Sequence, residues 1–385
     1  MRVAVFIGTR ADLGPLGPVV AAFAAEGGVE THVLCGVAFD AAELSGRLAE
    51  ETSGVFDGTV HALTDPLRSL GVEEMLLQGE RLLHGARELF ARISFDALVV
   101  LGDRWELLFV VPAAYLSGIR IVHLHGGEVT EGALDERVRH AVTKLADLHC
   151  VASADAAERL RQLGEPEERI ALTGAPGLDR LDGRTRVSDE ELSELLGAAV
   201  SRPLALYTYH PPTAVVDAPL HRWAADVLRA TLESCAMVIV TAPGMDTGRD
   251  EIIAAHEEIA ARDPRVLLVD SLGPRYPVVL ASADVVVGNS SSGVIEAASV
   301  GVPAVDVGMR QAGRLRGNNV IHADENYESV RAAVQQAMSG PFIRTARAAT
   351  NPYGDGHAAQ RIVAATLTLD GLPAAKRFAD RTTRS

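Results

Sequence analysis

The chain alternates short runs of consecutive apolar, mostly β-branched residues with longer stretches in which apolar residues recur every three or four positions. The short runs predict strands over Val3–Gly8, His32–Gly36, Ala97–Gly102, Ile119–His125, Leu148–Ala152 and Ile170–Thr173. A second series follows over Leu204–Tyr209, Met237–Thr241, Val266–Asp270, Asp284–Gly288, Ala304–Val307 and Val320–His322. Because these runs are apolar throughout rather than alternating, they suit strands buried on both faces of a parallel sheet. The intervening stretches read as amphipathic helices. In Val72–Ala91, for example, Met75, Leu76, Leu82, Leu83, Ala86 and Leu89 recur at helical spacing. Repeated β-then-α order predicts parallel sheets with helices on both faces.

The two series part near Gly174-Ala175-Pro176-Gly177, and the polar segment Ser188-Asp189-Glu190-Glu191 then starts a helix. The predicted fold class is α/β, with two doubly wound Rossmann-like domains and an interdomain cleft. The first domain spans 1–175 and the second 176–365; residues 366–385 form a polar tail, frayed from Lys376 to Ser385. The helical stretch His357–Leu367 is a candidate to cross back to the first domain. In doubly wound sheets ligands lie beyond the carboxyl ends of strands, so the residues that follow strands are the ones to inspect.

Composition narrows the functional classes. Of 385 residues, 48% are hydrophobic and 23% charged, a globular mixture. The longest apolar runs are too short to span a bilayer, and the start of the chain reads as a strand rather than a secretion signal, so a cytoplasmic protein is expected. A formal charge of −15 argues against nucleic acid as a partner, yet a few local arginines can hold one diphosphate. Cys35, Cys150 and Cys235 are far apart without metal-type spacing and read as small buried hydrophobes.

Five segments carry candidate chemistry. Gly8-Thr9-Arg10-Ala11-Asp12-Leu13-Gly14 follows the first strand and puts Arg10 where a ligand would lie; a plain strand-to-helix turn is the alternative. In Leu101-Gly102-Asp103-Arg104-Trp105-Glu106, Asp103 suits a proton acceptor or an orienter of a neighbour, and the planar fork of Arg104 suits phosphate. The alternative there is an N-cap Asp beside a surface Arg. The segment from His123 to Glu136 gathers His125, Glu128, Glu131 and Asp135 on a glycine-rich loop, with Asp135 as N-cap of the next helix. Such clustered carboxylates suit proton abstraction and return. His123 and His125, two apart on one strand, also raise a divalent-metal site, but no His-x-x-x-His spacing or Cys partner supports it, and no metal is expected. His210 leaves its strand in Tyr207-Thr208-Tyr209-His210-Pro211-Pro212-Thr213, either towards a ligand or packed at the strand end. Finally, Gly288-Asn289-Ser290-Ser291-Ser292-Gly293 opens a helix. Its hydroxyls and free N–H groups suit an anion, Glu296 one turn on suits a ribose diol, and the basic loop around Arg310 follows; a plain serine-rich N-cap is the alternative. Neither Gly-x-Gly-x-x-Gly after the first strand nor a Walker-type Gly-Lys-Ser/Thr is present, which weakens dinucleotide and ATP readings.

Gly8-Thr9-Arg10-Ala11-Asp12, Gly102-Asp103-Arg104, His125-Gly126-Gly127-Glu128, Arg139-His140-Ala141-Val142-Thr143-Lys144, the Gly288–Gly293 segment and Asn351-Pro352-Tyr353-Gly354-Asp355-Gly356 together resemble the UDP-N-acetylglucosamine 2-epimerase family, most closely its hydrolysing branch. The likeness runs in collinear order from the first strand to about residue 365. It implies a GT-B-like fold and anti elimination of UDP to a 2-acetamidoglucal. Water or UDP then adds, giving N-acetylmannosamine or UDP-N-acetylmannosamine, with no cofactor. It implies catalytic roles for Asp103 and Asp135, phosphate contacts from Ser290 and Ser291, a ribose contact from Glu296, a nucleotide-side contact from Arg310, and diphosphate-side contacts from Arg10, Arg104 and His210; Ser292, next in the same run, is a further UDP-binding candidate. It also implies a homodimer or homotetramer, to which the apolar helix Val72–Ala91 is a candidate contributor. Two departures stand out. His125 replaces a glutamate of many relatives, leaving its proton to Glu128 or Glu131. Ala242-Pro243-Gly244 replaces Ser-Pro-Asn and opens the substrate to modified sugars such as UDP-diacetylbacillosamine. A GT-B glycosyltransferase and a non-catalytic nucleotide-sugar sensor are the competing classes.

Overall fold

The computed structural model describes residues 1–67, 71–131, 135–212 and 218–380. Gly132, Ala133 and Leu134 of the acidic loop, Thr213 after the His210 segment and residues 381–385 of the tail lie outside the described residues. The chain divides into two compact units. The first comprises 1–128, 135–180 and the described part of 353–385; the second comprises 129–131 and the described part of 181–352.

The first unit is built on seven parallel strands: β1 (Arg2–Ile7), β2 (Glu30–Cys35), β3 (Thr59–Ala62), β4 (Ala97–Leu101), β5 (Arg120–Leu124), β6 (Leu148–Val151) and β7 (Ile170–Leu172). Their spatial order is β3-β2-β1-β4-β5-β6-β7. Side chains of β1 alternate between two cores, as the period of a strand requires. Val3, Val5 and Ile7 pack with Leu16, Val19, Val20 and Phe23 of the helix Arg10–Ala25. Ala4 and Phe6 pack on the other face with Leu82, Ala86 and Leu89 of the helix Val72–Arg92. Met75 lies on that helix, whereas Leu76 and Leu83 are exposed. The helix Ala358–Leu367 belongs to this unit and buries Ala358, Ala359, Ile362 and Val363 against the helix Arg10–Ala25.

The second unit holds six parallel strands: β8 (Leu204–Thr208), β9 (Met237–Thr241), β10 (Val266–Val269), β11 (Val285–Gly288), β12 (Ala304–Val307) and β13 (Val320–Ala323). They run in the order β10-β9-β8-β11-β12-β13. Ala205 and Tyr207 of β8 pack with Ala224, Val227 and Leu228 of the helix Leu220–Leu232. Before β8, the helix Asp189–Leu196 begins with a capping box in which Ser188 and Glu191 satisfy each other's backbone N–H.

The α/β fold class and all twelve predicted strands are present. β3 is an additional edge strand; its Thr-Val-His-Ala sequence is only half-buried and lacks the apolar run that marks the others. The tail departs from expectation. Through Asp380 it is tied down rather than frayed at its start, since Lys376 donates to Thr143 O and Ala146 O, and Ala379 N donates to Gly164 O. All three cysteines are buried. Among the described residues, no helix is long and apolar enough to cross a membrane.

Candidate functional site

In each sheet the strand order reverses once, between β1 and β4 in the first unit and between β8 and β11 in the second. Side-by-side strands whose connections run in opposite directions leave a crevice at their carboxyl ends. Four of the five candidate segments leave the sheets at these two points.

At the first switch point, Gly8 and Thr9 are organised by Asp12. Its buried carboxylate accepts from Gly8 N at 3.0 Å and Thr9 N at 2.7 Å. Burial pushes the Asp12 carboxyl above its usual range, with Arg104 and these backbone bonds opposing. Arg10 is exposed at the first helical position. After β4, Gly102 takes a positive φ of 71° and its N–H donates to Leu124 O at 2.9 Å, turning Asp103 away from the strand. Arg104 Nε donates to the buried Glu106 at 3.3 Å. Burial raises the Glu106 carboxyl, Arg104 lowers it and Asp12 raises it further, so Arg104 serves two buried acids. The next helix, Leu107–Leu116, has Glu106 rather than Asp103 at its N-cap.

Arg139 is the hub of the acidic cluster. It is 1% exposed, donates to Glu128 O at 2.8 Å, and is salt-bridged to both Asp103 and Glu136. Glu136 also pairs with His140 at 3.3 Å. Glu128 is buried, and its Oε1 lies 2.5 Å from His125 Nδ1. Gly127, with φ 77°, cannot carry a side chain, because a Cβ there would lie 2.3 Å from Ala156 O.

Two expectations are corrected here. His125 is not on the strand beside His123; it follows the end of β5 with φ 60° and its ring turns to Glu128. His123 is fully buried, with Nε2 2.7 Å from Gly102 O, and burial pushes its imidazole down to about 3. It is therefore a neutral structural ring that supports the Gly102 turn. Asp135 is the first helical residue of Asp135–Leu145 rather than its N-cap. Glu131 groups with the second unit, where its N–H donates to Ala312 O at 3.1 Å. Among the described residues, no cluster of three or more His, Cys, Asp or Glu has metal-binding geometry.

At the second switch point, β8 and β11 are clamped by a reciprocal amide pair. His210 N donates to Asn289 Oδ1 at 2.6 Å, and Asn289 Nδ2 donates to His210 O at 2.8 Å. Gly244 N donates to His210 Nδ1 at 2.9 Å, so the neutral ring carries its proton on Nε2. Gly288 has φ 134°, and a Cβ there would meet Thr208 O at 1.9 Å, so only glycine allows the two strand ends to approach this closely. Ser290 caps the short helix Ser291–Ile295, Ser292 bonds Tyr276, and Glu296 follows at the helix end. Arg310 Nη1 at 3.2 Å and Gln311 Nε2 at 2.9 Å both donate to Asn289 O. A small recess lies between Thr208, Tyr276, Gly288, Ser290, Ser292 and Asp306.

Candidate residues thus collect at strand ends in each unit: Arg10, Asp103 and Arg104 at the first switch point with His125 and Glu128 after the neighbouring β5, and His210, Ser290, Ser291, Ser292 and Glu296 at the second with Arg310 after the neighbouring β12. Arg139, Glu136, Glu106, Asn289 and Gln311 were not nominated as site residues. Arg139 carried a usable signal: a lone arginine beside Val138 and Val142 on a helix face that must be buried demands acidic partners.

The fold and these strand-end clusters define a two-unit α/β protein with clustered carboxylates and imidazoles at the strand ends of one unit and a serine-rich helix start at a strand end of the other. The family model described as UDP-N-acetylglucosamine 2-epimerase matches residues 64–367. The chain belongs to that family. It is 37% identical over 284 residues to the UDP-N,N'-diacetylbacillosamine 2-epimerase (hydrolyzing) of Legionella pneumophila, covering 74% of this chain and 73% of that protein. It is 30% identical over 339 residues to the UDP-N-acetylglucosamine 2-epimerase of Neisseria meningitidis serogroup B, covering 88% of each. The crystal structure of a Neisseria meningitidis UDP-GlcNAc 2-epimerase bound to UDP-GlcNAc has the same fold, with a TM-score of 0.78 over 96% of this chain and all of that one, at 15% identity.

Proposed function

We propose that the protein is a hydrolysing 2-epimerase of a UDP-linked 2-acetamido sugar. The reading is carried by Asp103 at the end of β4 and Glu136 on the helix after β5, both salt-bridged to Arg139, which also binds the Glu128 carbonyl, in a member of this family. Asp103 takes the proton from C2, the C2–H electron pair forms the C1=C2 bond, and the C1–O bond breaks to release UDP. His210 Nε2–H, Ser290, Ser291, Ser292, Arg310, Arg10 and Arg104 receive the growing negative charge of the diphosphate, and Glu296 holds the ribose. Water then adds to C1 of the 2-acetamidoglucal as hydroxyl, its other proton replenishes the Glu128–His125 pair, and Asp103 passes the C2 proton to solvent. The Glu128–His125 pair returns a proton to C2 from the opposite face, and Asp135 and Glu131 complete the acidic surroundings. Only acid–base groups and anion stabilisation are required.

The 37% identity to a hydrolysing enzyme named for UDP-N,N'-diacetylbacillosamine favours a modified sugar over UDP-N-acetylglucosamine itself. Gly244 in place of an asparagine, with its backbone turned to His210, fits that preference. The test compares UDP release from both UDP-sugars by wild type, D103N and S290A. Asp103→Asn is expected to lower kcat by about a hundredfold or more with UDP affinity retained, and Ser290→Ala to weaken UDP affinity. Release from either sugar that requires an added acceptor would instead identify a glycosyltransferase.

A further inference from the structure

The C-terminal segment carries a half-buried lysine that the chemistry above does not use. Beyond the helix Ala358–Leu367, Arg120 Nη1 donates to Leu369 O at 2.7 Å and to Leu372 O at 3.2 Å. The buried Arg169 donates to Pro373 O at 2.5 Å, and Ala379 N closes the segment on Gly164 O. Between these anchors Lys376 points inward. Its ammonium has three acceptors for its three protons: Thr143 O at 3.0 Å, Ala146 O at 2.7 Å and Glu165 Oε2 at 2.8 Å. The two carbonyls lie at and just beyond the C-terminal end of the helix Asp135–Leu145, where Thr143 O otherwise takes only a 3.3 Å bond from Ala146 N and the negative end of the helix dipole is concentrated.

Glu165, fully buried, gathers the same helix end from the other side. It accepts from Lys144 at 2.5 Å and from His149 Nε2 at 3.0 Å. The helix leads to Asp103 by two routes. Arg139, on its middle turn, is salt-bridged to Asp103. Thr143 Oγ1 lies 3.4 Å from His123 Nδ1, and His123 Nε2 holds Gly102 O at 2.7 Å, one residue before Asp103. Any rotation or axial slip of the helix therefore shifts both supports of that carboxylate together.

We propose that Lys376 is a positioning residue for Asp103, acting by fixing the C-terminal end of the helix Asp135–Leu145. The tail is then a working part of the acid–base unit, and its loss misplaces the carboxylate without touching the UDP-binding groups of the second unit. Displacements of the order of an ångström in a reacting group cost about a hundredfold in rate. The turnover arm of the test rests on the epimerase reading, whereas the exchange arm does not.

The experiment uses the full chain with Lys376→Met, and Lys376→Gln as the milder variant should the first not fold. Amide hydrogen exchange is followed in peptides spanning residues 101–104, 135–145 and 373–380. The proposal expects exchange to quicken by about fivefold or more in 101–104 as well as at the helix end. A tail that is only a local brace would quicken exchange in 373–380 and around 143–146 alone, and that result overturns the proposal whatever the enzyme's substrate. With UDP-sugar, the expected signature is a kcat lowered by about tenfold to a hundredfold, with KM and UDP affinity changing by a much smaller factor because the groups of the second unit stay in place. Unchanged kcat in a folded variant also overturns it. Absence of turnover in the wild-type protein would count against the epimerase reading and leave the exchange result to judge Lys376.

Discussion

Replacing Arg139 with methionine should cost both stability and activity, because one buried guanidinium holds three groups. Asp103 and Glu136 are 20% and 24% exposed, and the third group is the carbonyl of Glu128. Removing one partner of a buried pair costs about 3–5 kcal/mol, since the other charge stays behind without compensation. Here two carboxylates would be left facing each other, but both reach some water, which places the expected loss near the lower figure, about 3 kcal/mol. Arg139→Lys keeps the charge but not the planar fork, so it should recover only part, with a loss of about 1–2 kcal/mol. The chain has two tryptophans, Trp105 in the first unit and Trp223 in the second. In a W223F background, urea unfolding followed by fluorescence therefore reports on the unit that contains Arg139. The double variant D103N/R139M gives the decisive comparison. A neutral Asn needs no cation, so Asp103→Asn should cost less in the R139M background than alone, with a coupling of about 1 kcal/mol or more. An R139M midpoint shifted by less than about 1 kcal/mol, or no coupling to position 103, would refute the hub assignment.

Stability should fall towards acid through the buried imidazoles. Burial holds His123 down to about 3 and His256 down to about 4, against 6.5 for a free imidazole. The unfolded chain therefore binds protons that the folded chain refuses, so their contribution is complete above about pH 6.5 and is lost as pH falls. Each imidazole should add about 1.4 kcal/mol per pH unit to the slope of unfolding free energy between that pH and its folded value, and His256→Gln should remove one such share. A pH-independent urea midpoint between about pH 6.5 and about pH 5 would contradict this. The thiols of Cys35, Cys150 and Cys235 are pushed up to about 12, chiefly by burial. A disulfide reagent should leave all three unreacted in the folded protein at neutral pH and titrate them in urea; prompt reaction of any one in the native state would show that its burial is misplaced.

Legibility from sequence followed the strength of the apolar signal. Strands such as Ala97–Leu101 and Met237–Thr241 are buried on both faces and announce themselves as unbroken runs. Thr59–Ala62 is an edge strand with half-buried side chains, and its sequence carries no such mark. The residues that follow strands were legible because strand ends at a switch point are where a doubly wound sheet meets ligand. Partners remote in sequence were not. The pairing of Arg139 with Asp103, 36 residues apart, and of Lys376 with Glu165, 211 residues apart, depends on tertiary packing. His125 was placed on the strand because β-branched and aromatic neighbours continue the pattern through His123; the left-handed φ at His125 ends it one residue earlier. The polar composition of the tail suggested fraying, yet Lys376 is held by a buried carboxylate and a helix end that its local sequence does not reveal.

The most direct test of the functional account is proton NMR of the purified protein in deuterated water without added metal, with UDP-N,N'-diacetylbacillosamine and UDP-N-acetylglucosamine supplied in turn. The account predicts release of UDP and of a free sugar inverted at C2 that carries deuterium there. A UDP-linked inverted sugar would keep the epimerase and overturn its hydrolytic outcome. Failure of either sugar to exchange its C2 proton or release UDP would contradict the account.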